Sequence, residues 1–183
     1  MTFEKTALDG VWLITPRRFG DARGYFMESF REDLFREHIG DIRFVQDNES
    51  VSSRGVLRGL HYQKDEASQA KLVRVSRGAV LDVAVDLRRS SPTFLRHIAV
   101  ELSADNGRQL YIPRGFAHGF LVLSDTAQFQ YKVDNAYCPA AEASVRYDDP
   151  DLAIAWPMAP GTEPLLSPKD LAALPLADAP LFP

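Results

Sequence analysis

The chain has 183 residues, 45% of them hydrophobic and 25% charged, the balance of an ordinary soluble globule with core enough for one domain over 1–183. It has no run of about 18 apolar residues, and its opening MTFEKTALDG lacks the apolar stretch of a signal peptide, so no membrane association and a cytoplasmic location are expected. A formal net charge of −4 without a basic run leaves nucleic-acid and anionic-membrane binding no electrostatic footprint, and the single Cys138 supports neither an internal disulfide nor a thiolate zinc cluster.

In chain order, SFREDLFREHIG (29–40) reads as a helix with Phe30, Leu34 and Phe35 on one stripe. LRGLHYQ (57–63) reads as a strand whose alternation sends Leu57, Gly59, His61 and Gln63 one way and Arg58, Leu60 and Tyr62 the other. KLVRV follows, with Lys71 in phase with Val73 and Val75, and SRG (76–78) marks a turn. VLDVAVDL then places Leu81, Val83, Val85 and Leu87 on one face and Asp82, Ala84 and Asp86 on the other, the pattern of a half-buried strand. HIAVEL, the DNG turn (105–107), FAHGF and FQYKV continue the period of two. His118 falls in phase with Phe120 and Val122, and Tyr131 with Phe129 and Val133. SPKDLAAL reads as a second short helix with Ser167 as N-cap and Pro168 at its first position, and the Pro- and Ala-rich stretch 156–183 is expected to wrap the strands. Many short strands at regular spacing imply a sandwich or barrel, and neither repeat nor linker divides the chain.

One spacing is more specific: Gly107, Pro113, Gly115 and His118 resemble the second motif of the cupins, small antiparallel jelly rolls. In the matching first motif, Gly55 to His61 has the right interval, but Gln63 occupies the second histidine position, the motif's glutamate has no clear counterpart, and Val122 replaces its closing asparagine. His61 and His118 alone offer too few ligands for a tight divalent site, so no metal is expected. Lys71, His118 and Tyr131 each read singly as satisfied core or rim residues. A lysine in phase with core valines is harder to satisfy, since lysine is almost never fully buried unless paired. Together, an imidazole, an ammonium and a phenol converging on a barrel interior suit acid–base chemistry on a small molecule with a developing oxyanion.

Seven stretches, FGDARGYFMESF (19–30), FVQDN (44–48), LRGLHYQ, KLVRV, IPRGFAHGF (112–120), YKVDNAYCP (131–139) and LSPKD (166–170), together resemble the dTDP-4-dehydrorhamnose 3,5-epimerase family of metal-free cupins. The resemblance runs nearly end to end. It implies an all-β, cupin-type antiparallel jelly-roll barrel with a few short helices in the N-terminal part and at the C-terminus, a dTDP-sugar substrate and no cofactor. It further implies that His61 removes the protons next to the sugar ketone, oriented by Asp170, that Lys71 stabilises the enolate oxygen, and that Tyr131 returns a proton from the opposite face. His118 would line the same pocket. Arg23, Glu28, Gln46, Asp47, Asn48, Arg58, Glu142 and Lys169 are similar to the family's substrate contacts, with Phe26 and Tyr137 as aromatic neighbours of the nucleotide. Arg23 and Phe26 would serve the neighbouring subunit's site, which implies a homodimer. Two departures, Ala70 for the usual glycine and Ala136 for a common second tyrosine, touch no proposed catalytic group.

Other readings stay open at this stage. Asp170 alone reads as the acid of an S-x-x-D capping box, and its catalytic role rests on the resemblance. Arg23 could be a turn residue, Phe26 a core aromatic, Glu28 a partner of a surface cation, and Gln46 to Asn48 a strand-end turn. Rival functions are a single-carbon epimerase or ketoisomerase on a related dTDP-4-keto sugar, a non-catalytic ligand-binding cupin, and a metal-dependent cupin enzyme, the last disfavoured by Gln63 and Val122.

Overall fold

Hydrophobic alternation becomes strand wherever two faces need cover, and the computed structural model, which describes all 183 residues, contains thirteen strands. They are β1 (Thr2–Lys5), β2 (Trp12–Thr15), β3 (Arg18–Asp21), β4 (Gly24–Met27), β5 (Gln46–Ser53), β6 (Leu57–Gln63), β7 (Lys71–Arg77), β8 (Ala79–Asp86), β9 (His97–Ser103), β10 (Gln109–Ile112), β11 (Phe116–Val122), β12 (Thr126–Val133) and β13 (Glu142–Ser144). A six-stranded sheet in the order β1-β2-β10-β7-β12-β5 faces a five-stranded sheet in the order β13-β6-β11-β8-β9, while β3 and β4 form a separate hairpin. All of these pairings are antiparallel, as the jelly roll requires. No helix is long and apolar enough to cross a membrane.

Between the sheets lie Val73, Val75, Leu110 and Phe129 from one side and Val80, Ala84, Leu102 and Phe120 from the other. The Phe120 and Phe129 rings stack across this gap with centroids 4.2 Å apart. Each large side chain withdrawn from water here contributes about 1.5–3 kcal/mol. This core fills one end of the barrel, so the polar side chains in phase with it are held at the other end on rigid strands.

The expected half-buried character of β8 is corrected. Val83, Val85 and Leu87 belong to a second apolar cluster outside the five-stranded sheet, covered by Leu152, Leu176 and Ala179 from the C-terminal segment, while Val80 and Ala84 face the interior. The covering segment is tied down by bridges from Leu165 to Val56, Leu174 to Val145 and Phe182 to Arg88, and by the Tyr62 hydroxyl donating to the Pro180 carbonyl at 2.8 Å. With both faces of β8 covered, its apolar period of two does not reveal which face is the outside.

Both expected helices are present and shorter than their sequence patterns. The first, α1, spans Glu32–His38 and buries Phe35 against Ile14, Leu72 and Tyr111; Phe30 lies before the helix but packs on Phe35 with centroids 4.8 Å apart. The second, α2, spans Pro168–Leu171, with Ser167 as its N-cap.

Strict alternation along β6 also fails. Opposite it on β11, His118 pairs with His61 and Phe120 with Arg58, so Gly59 and Leu60 together oppose the single residue Gly119. This two-for-one bulge advances the phase by one residue, which brings Arg58 to the same cavity as His61 rather than the opposite face. Only glycines permit the close approach: Gly59 has φ +130°, and a Cβ there would sit 2.5 Å from Gly119 Cα and 2.8 Å from the His118 carbonyl. Gly59→Ala should therefore lower the melting temperature and activity together, because it forces apart the strands carrying His61 and His118. A thermal melt and an activity assay on the same preparation check this; an unshifted melt with normal activity would show that the backbone relaxes freely.

Candidate active site

A cavity of about 380 Å³ opens between the sheets, with the stacked Phe120 and Phe129 forming part of its wall. The five-stranded sheet contributes Arg58 and His61 from β6, His118 from β11 and Glu142 from β13; the six-stranded sheet contributes Asn48 from β5, Lys71 from β7 and Tyr131 from β12. Tyr137, in the loop after β12, completes the wall. A somewhat larger groove of about 420 Å³ runs along the outer side of the six-stranded sheet past Asp47, Arg74, Gln109 and Lys132. The smaller cavity is the candidate site, because the imidazoles, the inward lysine and the phenol converge there.

His61 is held from behind. Its Nε2 lies 2.7 Å from Asp170 Oδ1, a close approach in which the ring N–H is not aligned for a full hydrogen bond. Such bonds in unliganded sites commonly tighten when substrate binds. The same Oδ1 accepts the Gly59 N–H at 3.0 Å, while Oδ2 accepts the Ser167 N–H at 3.0 Å and the Ser167 hydroxyl at 2.5 Å. Asp170 is thus both of the things its sequence context allowed, since one oxygen closes the capping box of α2 and the other faces the histidine. Burial works against its charged form, but the close approach of His61 and the hydrogen bonds from Ser167 and Gly59 outweigh burial and hold the carboxyl well below the usual range.

Lys71 projects into the cavity, where burial lowers its ammonium to about 8 against the opposing pull of Asp82. On the same sheet, burial raises the Tyr131 phenol, partly countered by Arg58, so the hydroxyl keeps its proton at neutral pH. Arg58 itself donates from Nε to the Ser52 hydroxyl at 3.1 Å. His118 is buried, which favours its neutral form, and its Nε2–H donates to Asp82 Oδ2 at 2.9 Å.

The residues expected to contact the nucleotide divide. Gln46 holds two neighbours, donating to Asn48 Oδ1 at 2.8 Å and accepting the Tyr137 N–H at 3.1 Å. Glu142 Oε2 accepts the Tyr137 hydroxyl at 2.9 Å and Lys169 Nζ at 2.7 Å, forming a charged rim at the mouth. Asp47 points the other way, pairing with Lys132 at 2.9 Å over the outer groove, because on β5 it is out of phase with Gln46 and Asn48. Arg23, Phe26 and Glu28 do not reach this chain's cavity at all. Arg23 pairs with Asp21 at the tip of the β3–β4 hairpin, Phe26 is 67% exposed, and Glu28 faces Arg31 at 3.8 Å.

The donors do not fit a metal. Gln63, at the position of a cupin ligand, donates through its amide nitrogen to the Ala67 and Ala136 carbonyls and accepts the Cys138 N–H at 2.7 Å, so both ends of its amide fasten the loop that carries Tyr137. No cluster of three or more metal-ligating side chains exists. Asp82 was missed from the sequence, although its phase with Val80 and Ala84 placed it with an inward face once that face was known.

The sequence profile of the dTDP-4-dehydrorhamnose 3,5-epimerase family matches residues 5–178. The chain belongs to that family. The epimerase of that name from Shigella flexneri is 50% identical over all of this chain and 99% of its own length. A dTDP-4-dehydrorhamnose 3-epimerase from Streptomyces niveus is 45% identical over 98% of this chain and 86% of its own. The crystal structure of a dTDP-6-deoxy-D-glucose-3,5-epimerase from Legionella pneumophila, in complex with dTDP-4-keto-L-rhamnose, superposes with a TM-score of 0.92 at 50% identity, covering 97% of this chain and 93% of that one. The family's enzymes are isomerases, the relatives named 3,5-epimerase belong to the dTDP-rhamnose route, and the jelly roll described above is the fold they share.

Proposed function

We propose that this protein inverts carbons 3 and 5 of dTDP-4-dehydro-6-deoxy-D-glucose to give dTDP-4-dehydro-L-rhamnose, in dTDP-L-rhamnose biosynthesis. The observation that carries this reading is the placement of His61 on one sheet and of Lys71 and Tyr131 on the sheet facing it. Inversion needs a base on one side of a carbon and an acid on the other, and the cavity walls supply them separately. With the Nε2–H of His61 directed at Asp170, Nδ1 carries the lone pair that takes the proton next to the ketone. As the C–H electrons move into the carbonyl, the Lys71 ammonium meets the growing enolate charge, an electrostatic contact present before it is needed. Tyr131 gives its proton to the carbon from the other face and regains one from solvent, while His61 releases the one it took. The ketone at carbon 4 acidifies carbons 3 and 5 alike, so one base and one acid serve both centres. No redox cofactor enters this scheme.

Glu142, Lys169, Tyr137, Gln46 and Asn48 at the mouth suit the nucleotide and its diphosphate. The exposed β3–β4 hairpin, with Arg23 and Phe26 facing away from their own cavity, supports a homodimer in which these residues, and Glu28 behind them, complete the partner's site. The test is NMR of dTDP-4-keto-6-deoxyglucose with the protein in heavy water. Deuterium at carbons 3 and 5 with the L-rhamno product is expected; deuterium at carbon 3 alone would instead assign the single-carbon activity in the name of the Streptomyces niveus relative.

Since Gln63 is committed to the backbone and only two histidines remain, the rate should be unchanged after dialysis against EDTA. A large loss reversed by zinc, iron or manganese would overturn the metal-free mechanism.

A further inference from the structure

Asp82 is a fully buried acid with no Lys or Arg in contact. It lies on β8 with no exposed surface, shielded from the cavity by the residues that line it. One oxygen accepts the His118 N–H, and the other, Oδ1, is buried with no hydrogen-bond partner. A buried carboxylate left half-satisfied is costly unless a cation compensates it. The cation available is Lys71, which forms no contact ion pair of its own and projects into the cavity from the facing sheet. The other titratable groups around that space are Glu49 on β5, Arg58, His61 and Tyr62 on β6, His118 on β11, Tyr131 on β12, Tyr137 in the loop after it and Glu142 on β13; the negative charge that acts on Lys71 is Asp82.

We propose that Asp82 is a positioning residue for the reaction: from behind the cavity wall its carboxylate fixes the His118 ring and keeps Lys71 an ammonium in the working pH range. This rests on the assignment of Lys71 as the enolate's partner. The carboxylate of Asp82 fixes the His118 ring through Nε2–H, while burial outweighs the pull of that carboxylate and favours the neutral imidazole, so no second positive charge stands beside the lysine. Burial has already brought Lys71 to about 8, close enough to neutrality that loss of one facing negative charge decides its state. The sign is fixed: removing a nearby carboxylate lowers the pKa of an ammonium, so the amine neutralises at lower pH.

Asp82→Asn keeps the shape of the side chain and removes its charge. In the wild type, kcat/KM should decline above about pH 8 as Lys71 loses its proton. In the variant that decline should move to lower pH, so that the loss relative to the wild type is largest near pH 8 and narrows as pH falls towards 6. A uniform loss at every pH would mean a structural role only and would overturn the proposal. A second readout is independent of turnover: NMR titration of ¹³C-labelled lysine side chains, with the Lys71 signal assigned by its disappearance in Lys71→Met. An unchanged Lys71 midpoint in Asp82→Asn overturns the proposal even if the wild type proves to lack epimerase activity, and a lowered midpoint supports it while absent wild-type deuterium exchange sinks the assigned reaction separately. Should Asp82→Asn fail to fold, Asp82→Ser carries the same expectation in both measurements.

Discussion

Tyr131→Phe is expected to keep exchanging the substrate's α protons in heavy water while inverted product falls by about 10²–10⁴-fold, the usual contribution of a general acid. The substitution removes the hydroxyl and leaves a ring of nearly the same shape beside Phe129, so the cavity stays intact. His61, on the opposite wall, still removes a proton and returns deuterium to the face it came from. His61→Ala should abolish exchange and inversion alike. Following deuterium incorporation and product configuration together separates the two variants. If Tyr131→Phe inverts at the wild-type rate, the acid is water or another residue, and the two-walled mechanism loses one wall.

The second large effect belongs to Lys71→Met, a substitution of similar length without charge. Loss of one preorganised donor to an oxyanion costs about 2.7–4 kcal/mol in the transition state, or about 10²–10³ in kcat. Because the enolate charge exists only along the reaction, kcat should fall far more than KM rises. Steady-state kinetics on the full chain decide the matter. A pure KM effect would reassign Lys71 to holding phosphate.

Much of this site was legible because strands alternate. Lys71 in phase with Val73 and Val75, His118 with Phe120, and Tyr131 with Phe129 all face the interior as the period of two required. The same logic failed at Arg58, since a bulge is a property of two strands and the sequence of β6 alone does not reveal that Gly59 and Leu60 oppose a single residue. It was silent at Asp82 because the outer face of β8 is covered by a segment from the far end of the chain, so both faces are apolar. Asp170 presented a local signal, the capping box, and a distant one, the contact with His61, and only the first is written in neighbouring residues. The placement of Asp47 over the outer groove followed from strand phase and was obscured by treating Gln46 to Asn48 as one run. The periodicity of the chain gave no sign that the β3–β4 hairpin carries Arg23 and Phe26 away from this chain's own cavity.

The divided carboxylate of Asp170 also sets an order of events during biosynthesis. Ribosomes deliver the chain from its N-terminus, and domains begin to fold as they emerge. The Gly59 N–H and the carboxylate that receives it lie 111 positions apart. Until α2 is docked, His61 has no carboxylate behind it, because Asp170 lies on that helix. The contact behind His61 is therefore completed by a segment made well after β6, and a chain stalled before α2 lacks it.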